Sequence, residues 1–108
     1  MSGRFRAMWV FALFDLPVTG ENERKAYARF RKDLKTLGFS MLQYSVYARF
    51  CHSRESHEAF LRKVQALIPE KGEVRLLAVT DAQFGRMRVF TGKKRKKTEK
   101  GPEQLMLF

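Results

Sequence analysis

The chain has 108 residues, enough for one domain with a single core. Lysine and arginine number 22 against 11 acidic residues, and the formal net charge of +11 favours nucleic acid as a partner over anionic lipid because no separate amphipathic membrane helix is visible. A hydrophobic content of 44% excludes a disordered polybasic segment, and the single cysteine, Cys51, excludes an internal disulfide and fits a reducing cytoplasm.

The first predicted element is a buried strand at residues 8–14, which is almost continuously apolar and rich in aromatic residues. It stops at Asp15, Leu16 and Pro17, so Asp15 lies at the carboxyl end of the strand. The apolar run is too short for a membrane span, and no small-x-small cleavage site follows it. We therefore expect a cytoplasmic protein without a membrane partner.

Residues 21–37 have the periodicity of an amphipathic helix that ends at Gly38. Tyr27, Phe30 and Leu34 belong to its apolar stripe, and most of its cations fall on the remaining arc. Four of these cations are candidate contacts to nucleic-acid phosphates on the back of the helix: Arg24, Lys25, Arg31 and Lys35. The alternative is an ordinary solvated helix face.

Residues 41–50 alternate in polarity, with Tyr44 on the apolar side, and this predicts one long strand or two short strands bent near Tyr44 and Ser45. Ser53 is a candidate N-cap for a second helix that runs to about residue 68. Residues 74–80 are the next predicted strand, and residues 87–90 are a shorter one.

This order of elements predicts an α+β fold, a ferredoxin-like βαββαβ sandwich with an extra C-terminal strand. Two amphipathic helices would cover one face of the sheet. The other face receives apolar residues from the first strand and needs a cover of its own, for which a second copy of the same sheet is the simplest candidate. The sequence therefore predicts a homodimer.

The sequence divides into a folded domain at residues 1–92 and a basic tail at residues 93–108. Residues 93–100 read KKRKKTEK, a solvated charge block that we expect to be disordered in the free protein. The tail ends in an apolar tip made of Leu105, Met106, Leu107 and Phe108. This tip is a candidate docking segment for a partner protein, or else it folds back on its own sheet.

Three segments in this order resemble one known family: residues 10–17 (VFALFDLP), 38–47 (GFSMLQYSVY) and 72–80 (GEVRLLAVT). The family is the CRISPR-associated Cas2 family, small endonucleases that partner the integrase in spacer acquisition, and the apolar tip is similar to members from type II systems. The resemblance implies a homodimer of ferredoxin-like subunits, a divalent-metal nuclease activity and a scaffold role between integrase dimers.

The resemblance also makes Asp15 the metal-associated and catalytic residue. Mg²⁺, or another divalent cation such as Mn²⁺, is often held by one or two carboxylates with several waters, and a dimer that placed two Asp15 side chains across its axis would supply both. The alternative is that Asp15 caps the turn before the first helix. Cys51, His52 and His57 have poor spacing for a zinc site.

Our leading hypothesis is therefore a CRISPR adaptation subunit, whose homodimer bridges integrase dimers and binds double-stranded DNA. The rival hypothesis is a metal-dependent endoribonuclease or deoxyribonuclease that acts on its own through Asp15, with RNA as an alternative substrate. A free-standing RNA-binding module is disfavoured because the aromatic patterns of RNA-binding sheets are missing.

Overall fold

In the computed structural model, which describes residues 7–101, the chain forms the predicted βαββαβ unit followed by further elements. In chain order the elements are β1 (Met8–Asp15), α1 (Glu21–Thr36), β2 (Ser40–Gln43), β3 (Val46–Cys51), α2 (Arg54–Gln65), β4 (Glu73–Thr80), α3 (Asp81–Gly85), β5 (Val89–Thr91) and β6 (Lys94–Lys96). The first four strands form an antiparallel sheet in the order β2-β3-β1-β4, and β5 and β6 form a separate hairpin. The ferredoxin-like α+β fold is confirmed.

Strand β1 lies inside the sheet, between β3 and β4. Because side chains alternate along a strand, its even-numbered residues face the helices and its odd-numbered residues face the opposite side. Both sets are apolar, which explains why the strand has no polar alternation. We call the side that carries Trp9, Phe11, Leu13 and Asp15 the open face.

The helix-covered face holds the larger core. Val10, Ala12 and Phe14 of β1 pack with Tyr27, Phe30 and Leu34 of α1. Helix α1 begins after Gly20, whose N–H donates to Glu23 Oε1 at 3.0 Å. Ser53 caps α2 as predicted, and its hydroxyl accepts from the Ser56 N–H at 3.1 Å. Helix α2 ends earlier than predicted, at Gln65, because residues 66–68 form a turn before Pro69.

The predicted bend at Tyr44 and Ser45 separates two strands. Ser45 has a φ of 64°, a left-handed conformation that is unusual for a residue with a side chain. The bend interrupts the alternation, so Tyr44 leaves the apolar side where the pattern predicted it and is 75% exposed.

Helix α3 covers one end of the open face. Phe84 of α3 stacks on Trp9 with ring centroids 3.9 Å apart, and the Trp9 Nε1 donates to Asp81 Oδ1 at 2.8 Å. Sequence reasoning missed this helix, although Thr80 and Gln83 form a capping box that could have predicted it.

The C-terminal part differs from its prediction in two ways. The extra strand is a hairpin of two strands, because Gly92 with a φ of 62° turns the chain between β5 and β6. The basic block at residues 93–100 is therefore partly a strand, β6, and its expected disorder is wrong for Lys94–Lys96. The hairpin crosses the predicted boundary at residue 92, and the division into a domain and a tail stays a prediction.

Candidate metal and nucleic-acid sites

Asp15 is the last residue of β1, and its side chain is exposed at the edge of the open face. Its cross-strand partner on β4 is Glu73, so two carboxylates lie on the same side of the sheet. Arg75, two residues along β4, donates from Nη2 to Glu73 Oε1 at 3.0 Å. This guanidinium compensates part of the repulsion between the two acids.

The backbone beside Asp15 is held from the β2–β3 turn. The N–H of Phe14 donates to the Ser45 carbonyl oxygen at 3.1 Å, and the Ser45 hydroxyl and the Tyr27 hydroxyl lie 2.8 Å apart. Burial raises the pKa of Tyr27 above its ordinary value. Ser45 therefore has a structural contact in the described chain, since it connects α1 to the end of β1.

One chain supplies few ligands for a metal ion. Among residues 7–101 there is no group of three or more histidine, cysteine, aspartate or glutamate side chains that could hold one. Cys51, His52 and His57 accordingly form no such group, as their spacing indicated. Asp15 and Glu73 provide two carboxylates, which is within what Mg²⁺ uses when it keeps most of its waters.

Two of the four predicted phosphate contacts are exposed but already have partners within α1 and the loop before it. Arg24 Nη1 donates to the Thr19 carbonyl oxygen at 3.1 Å, and Lys25 Nζ lies 3.5 Å from Glu21 Oε1. Both bonds are at the surface, where they contribute little stability and can be exchanged for a phosphate. Lys35 is exposed in the last turn of the helix.

Arg31 does not lie on the solvated back of α1, where it was predicted. It is half-buried, and its Nε donates to the Tyr47 hydroxyl at 2.9 Å. That hydrogen bond raises the pKa of Arg31 above its already high ordinary value. The helix period explains the difference, because Arg24, Arg31 and Lys35 follow one flank of α1, beside the β2–β3 turn. We call these three residues the α1 stripe.

Two further features were not found from the sequence. Glu73 was not recognised because its relation to Asp15 depends on the register between β1 and β4, which no local pattern gives. The exposure of Tyr44 follows from the bend. The predicted docking tip, Leu105, Met106, Leu107 and Phe108, lies outside the described residues.

No helix within residues 7–101 is long and apolar enough to cross a membrane.

The fold and site define a small, basic, ferredoxin-like protein with an acidic strand end beside an apolar sheet face. A sequence profile of the family described as CRISPR associated protein Cas2 matches residues 8–87. The chain belongs to this family, as the resemblance indicated.

Similar proteins cover nearly the whole chain. The CRISPR-associated endoribonuclease Cas2 of Parvibaculum lavamentivorans is 55% identical over 94% of this chain and 100% of its own length. The protein of the same description from Flavobacterium psychrophilum is 44% identical over 97% of this chain and 91% of its own length. A solved structure described as the crystal structure of cas2 superposes with a TM-score of 0.55 at 19% identity, over 86% of this chain and 98% of that one, and shows the same fold.

Proposed function

We propose that this chain is a CRISPR adaptation subunit, whose homodimer binds duplex DNA and bridges integrase dimers during spacer acquisition. The observation that carries the proposal is the open face of the sheet. Trp9 and Phe11 at one end pack under Phe84, but Leu77 of β4 is 51% exposed. A sheet face with exposed aliphatic side chains is a liability in a free monomer and is typical of an interface.

A second copy of the chain is the occupant that fits this face. Leu13, Leu42 and Val46 are partly buried around it, and their aliphatic surfaces suit a symmetric apolar contact. A two-fold axis through the face would also bring together the edges that carry Asp15. The same association would thus stabilise the subunits and gather carboxylates from both.

Duplex DNA is supported by charge and by the position of the α1 stripe. Arg24, Arg31 and Lys35 lie along one flank of a helix whose other side is packed on the sheet. Such a row contacts phosphates without reading bases. The formal charge of +11 adds long-range attraction to any polyanion. Bridging of the integrase is supported by membership of the family and by the apolar tip at residues 105–108.

A second candidate function, a metal-dependent nuclease, is favoured by the exposed carboxylate of Asp15 and by the relatives described as endoribonucleases. Asp15 and Glu73 would hold a Mg²⁺ or Mn²⁺ ion, which when bound polarises a phosphoryl oxygen or activates water. The chain's own residues would position the phosphodiester: Asp15 stands at a strand end fixed through Phe14 and Ser45, and Arg75 places a positive charge beside the carboxylates.

The test compares wild type with Asp15→Asn in a sizing experiment with the integrase and a short duplex, followed by an integration assay and a nuclease assay. The scaffold role predicts the same complex and the same integration for both proteins, with any metal-dependent cleavage lost in the variant. If the variant dimerises normally and integration fails, the scaffold role is overturned in favour of metal chemistry at Asp15.

A further inference from the structure

The β5–β6 hairpin and the residues beside it carry an excess of positive charge that no described acid neutralises. Between residues 86 and 100 there is one acid, Glu99, and eight cations: Arg86, Arg88, Lys93, Lys94, Arg95, Lys96, Lys97 and Lys100. None of the eight forms an ion pair with another residue in the described part of the chain. A cleft of about 520 Å³ has Arg95, Lys96, Lys97 and Lys100 on its wall.

An apolar ring lies within this basic surface. Phe90 is 57% exposed, and its cross-strand partner is Arg95, so the two side chains share one face of the hairpin. The alternation of side chains places Arg88 and Lys97 on the same face. Phe90 is thus a ring with cations on both strands around it.

A surface of this kind suits a partner that is both anionic and flat. Another apolar protein surface would have to desolvate the surrounding cations, which is costly without matching acids. A nucleic-acid strand offers phosphates to the cations and an aromatic base to the ring. In a duplex the faces of the bases are stacked and closed to Phe90, whereas in a single strand they are open.

We propose that the β5–β6 hairpin is a binding site for single-stranded nucleic acid, in which Phe90 stacks on a base and the cations of its face contact the flanking phosphates. This site is separate from the α1 stripe, which contacts duplex phosphates in the proposed function. The inference goes beyond that function and depends neither on metal chemistry nor on integrase binding.

The test measures the anisotropy of a labelled oligothymidylate and of a labelled duplex of the same length. Phe90→Ala should weaken binding of the single strand by about 5- to 100-fold, the range for loss of one base–aromatic stack, and leave the duplex nearly unaffected. Phe90→Tyr should retain binding of the single strand, because it keeps the ring. Phe90→Leu should lose it, because it keeps only apolar bulk.

A charge-matched pair of variants tests the phosphate contacts. Arg95→Gln with Lys97→Gln should lower the slope of log affinity against log salt for the single strand by roughly 1.4, since each phosphate contact contributes about 0.7. Arg54→Gln with Arg62→Gln removes the same charge from exposed positions of α2 and should leave that slope unchanged.

Three results would overturn the proposal: an unchanged single-strand affinity in Phe90→Ala, an equal loss for both nucleic acids, or dissociation of the subunits in Phe90→Ala by sedimentation. The third would make Phe90 an interface residue. Arg24→Gln with Lys35→Gln separates this proposal from the proposed function. These changes should weaken duplex binding and leave the Phe90 effect intact, and an unchanged duplex affinity would count against the α1 stripe alone.

Discussion

The two faces of the central sheet are built from the same strands but are covered differently. On the helix side, Val10, Phe30 and Leu34 are almost completely buried by elements of the same chain. On the open face, α3 covers Trp9 at one end, and Leu77 remains 51% exposed. The difference indicates that the chain makes one complete core by itself and leaves the other to be completed by association.

The largest expected effect separates the two faces by folding stability. Phe30→Ala removes a buried ring from the helix-covered core and should lower the free energy of unfolding by about 3–5 kcal/mol. Leu77→Ala truncates a half-exposed side chain and should change the stability of the isolated subunit by less than about 0.5 kcal/mol. Urea unfolding below the dimer dissociation constant measures both. Equal losses would mean that the open face is part of the subunit core.

The second prediction separates the outer side of the helix layer from the open face by DNA binding. Arg24→Gln with Lys35→Gln should lower the salt slope of duplex binding by roughly 1.8, because each phosphate contact on a duplex contributes about 0.9. The dimer should persist, since the α1 stripe lies away from the open face. Fluorescence anisotropy at several salt concentrations checks the slope, with Arg54→Gln plus Arg62→Gln as the control of equal charge. A slope identical to wild type would remove the α1 stripe from the DNA site.

The third prediction concerns Arg31 and its hydrogen bond to Tyr47. Tyr47→Phe removes the hydroxyl that Arg31 Nε contacts at 2.9 Å, and Arg31→Gln removes the guanidinium. Both variants should unfold at lower urea concentrations than wild type, and the double variant should lose less than the sum of the single losses. Arg24→Gln, whose partners are surface carbonyls, should unfold like wild type. Additive losses would show that the bond does not contribute.

The smallest expected effect is the pH dependence of Cys51, a thiol on the helix-covered side. Burial raises the pKa of Cys51, so above the ordinary thiol pKa of about 8.5 the unfolded chain loses this proton before the folded chain does. The stability is therefore complete below that pH and falls as the pH rises toward the folded-state pKa, by at most about 1.4 kcal/mol per pH unit for one proton. Urea midpoints at a series of alkaline pH values should fall less in Cys51→Ala.

Alkylation of thiols compares the two faces directly. Cys51 should resist iodoacetamide in the native protein, whereas a thiol placed on the open face in Leu77→Cys, in a Cys51→Ala background, should react when the protein is dilute and be protected when it is concentrated. Concentration-independent reactivity of Leu77→Cys would argue against a cover supplied by a second copy.

Much of this fold was predictable because its elements have strong local signals. The apolar run of β1, the period of α1 and the cap at Ser53 each predicted their element. The hairpin was missed because the composition of residues 93–100 indicated disorder, whereas Gly92 permits a tight turn and β5 offers a pairing edge. Local pattern does not include that pairing.

The candidate site was less predictable than the fold. Asp15 was found because a strand that ends in an acid before a proline is visible in one segment. Glu73 and the burial of Arg31 depend on register and on the packing of α1 beside Tyr47, which join segments far apart in the chain. Residues that act across such distances need the tertiary structure to be recognised.

Sedimentation equilibrium of wild type, Leu77→Asp and Ile68→Asp tests the central claim, that a second copy covers the open face. Ile68 is also an exposed aliphatic residue, but it borders the helix layer, beside Ala26 and Arg29. The account predicts a dimer for wild type and Ile68→Asp, and a folded monomer for Leu77→Asp. A monomeric wild type, or a Leu77→Asp dimer as stable as wild type, would contradict it.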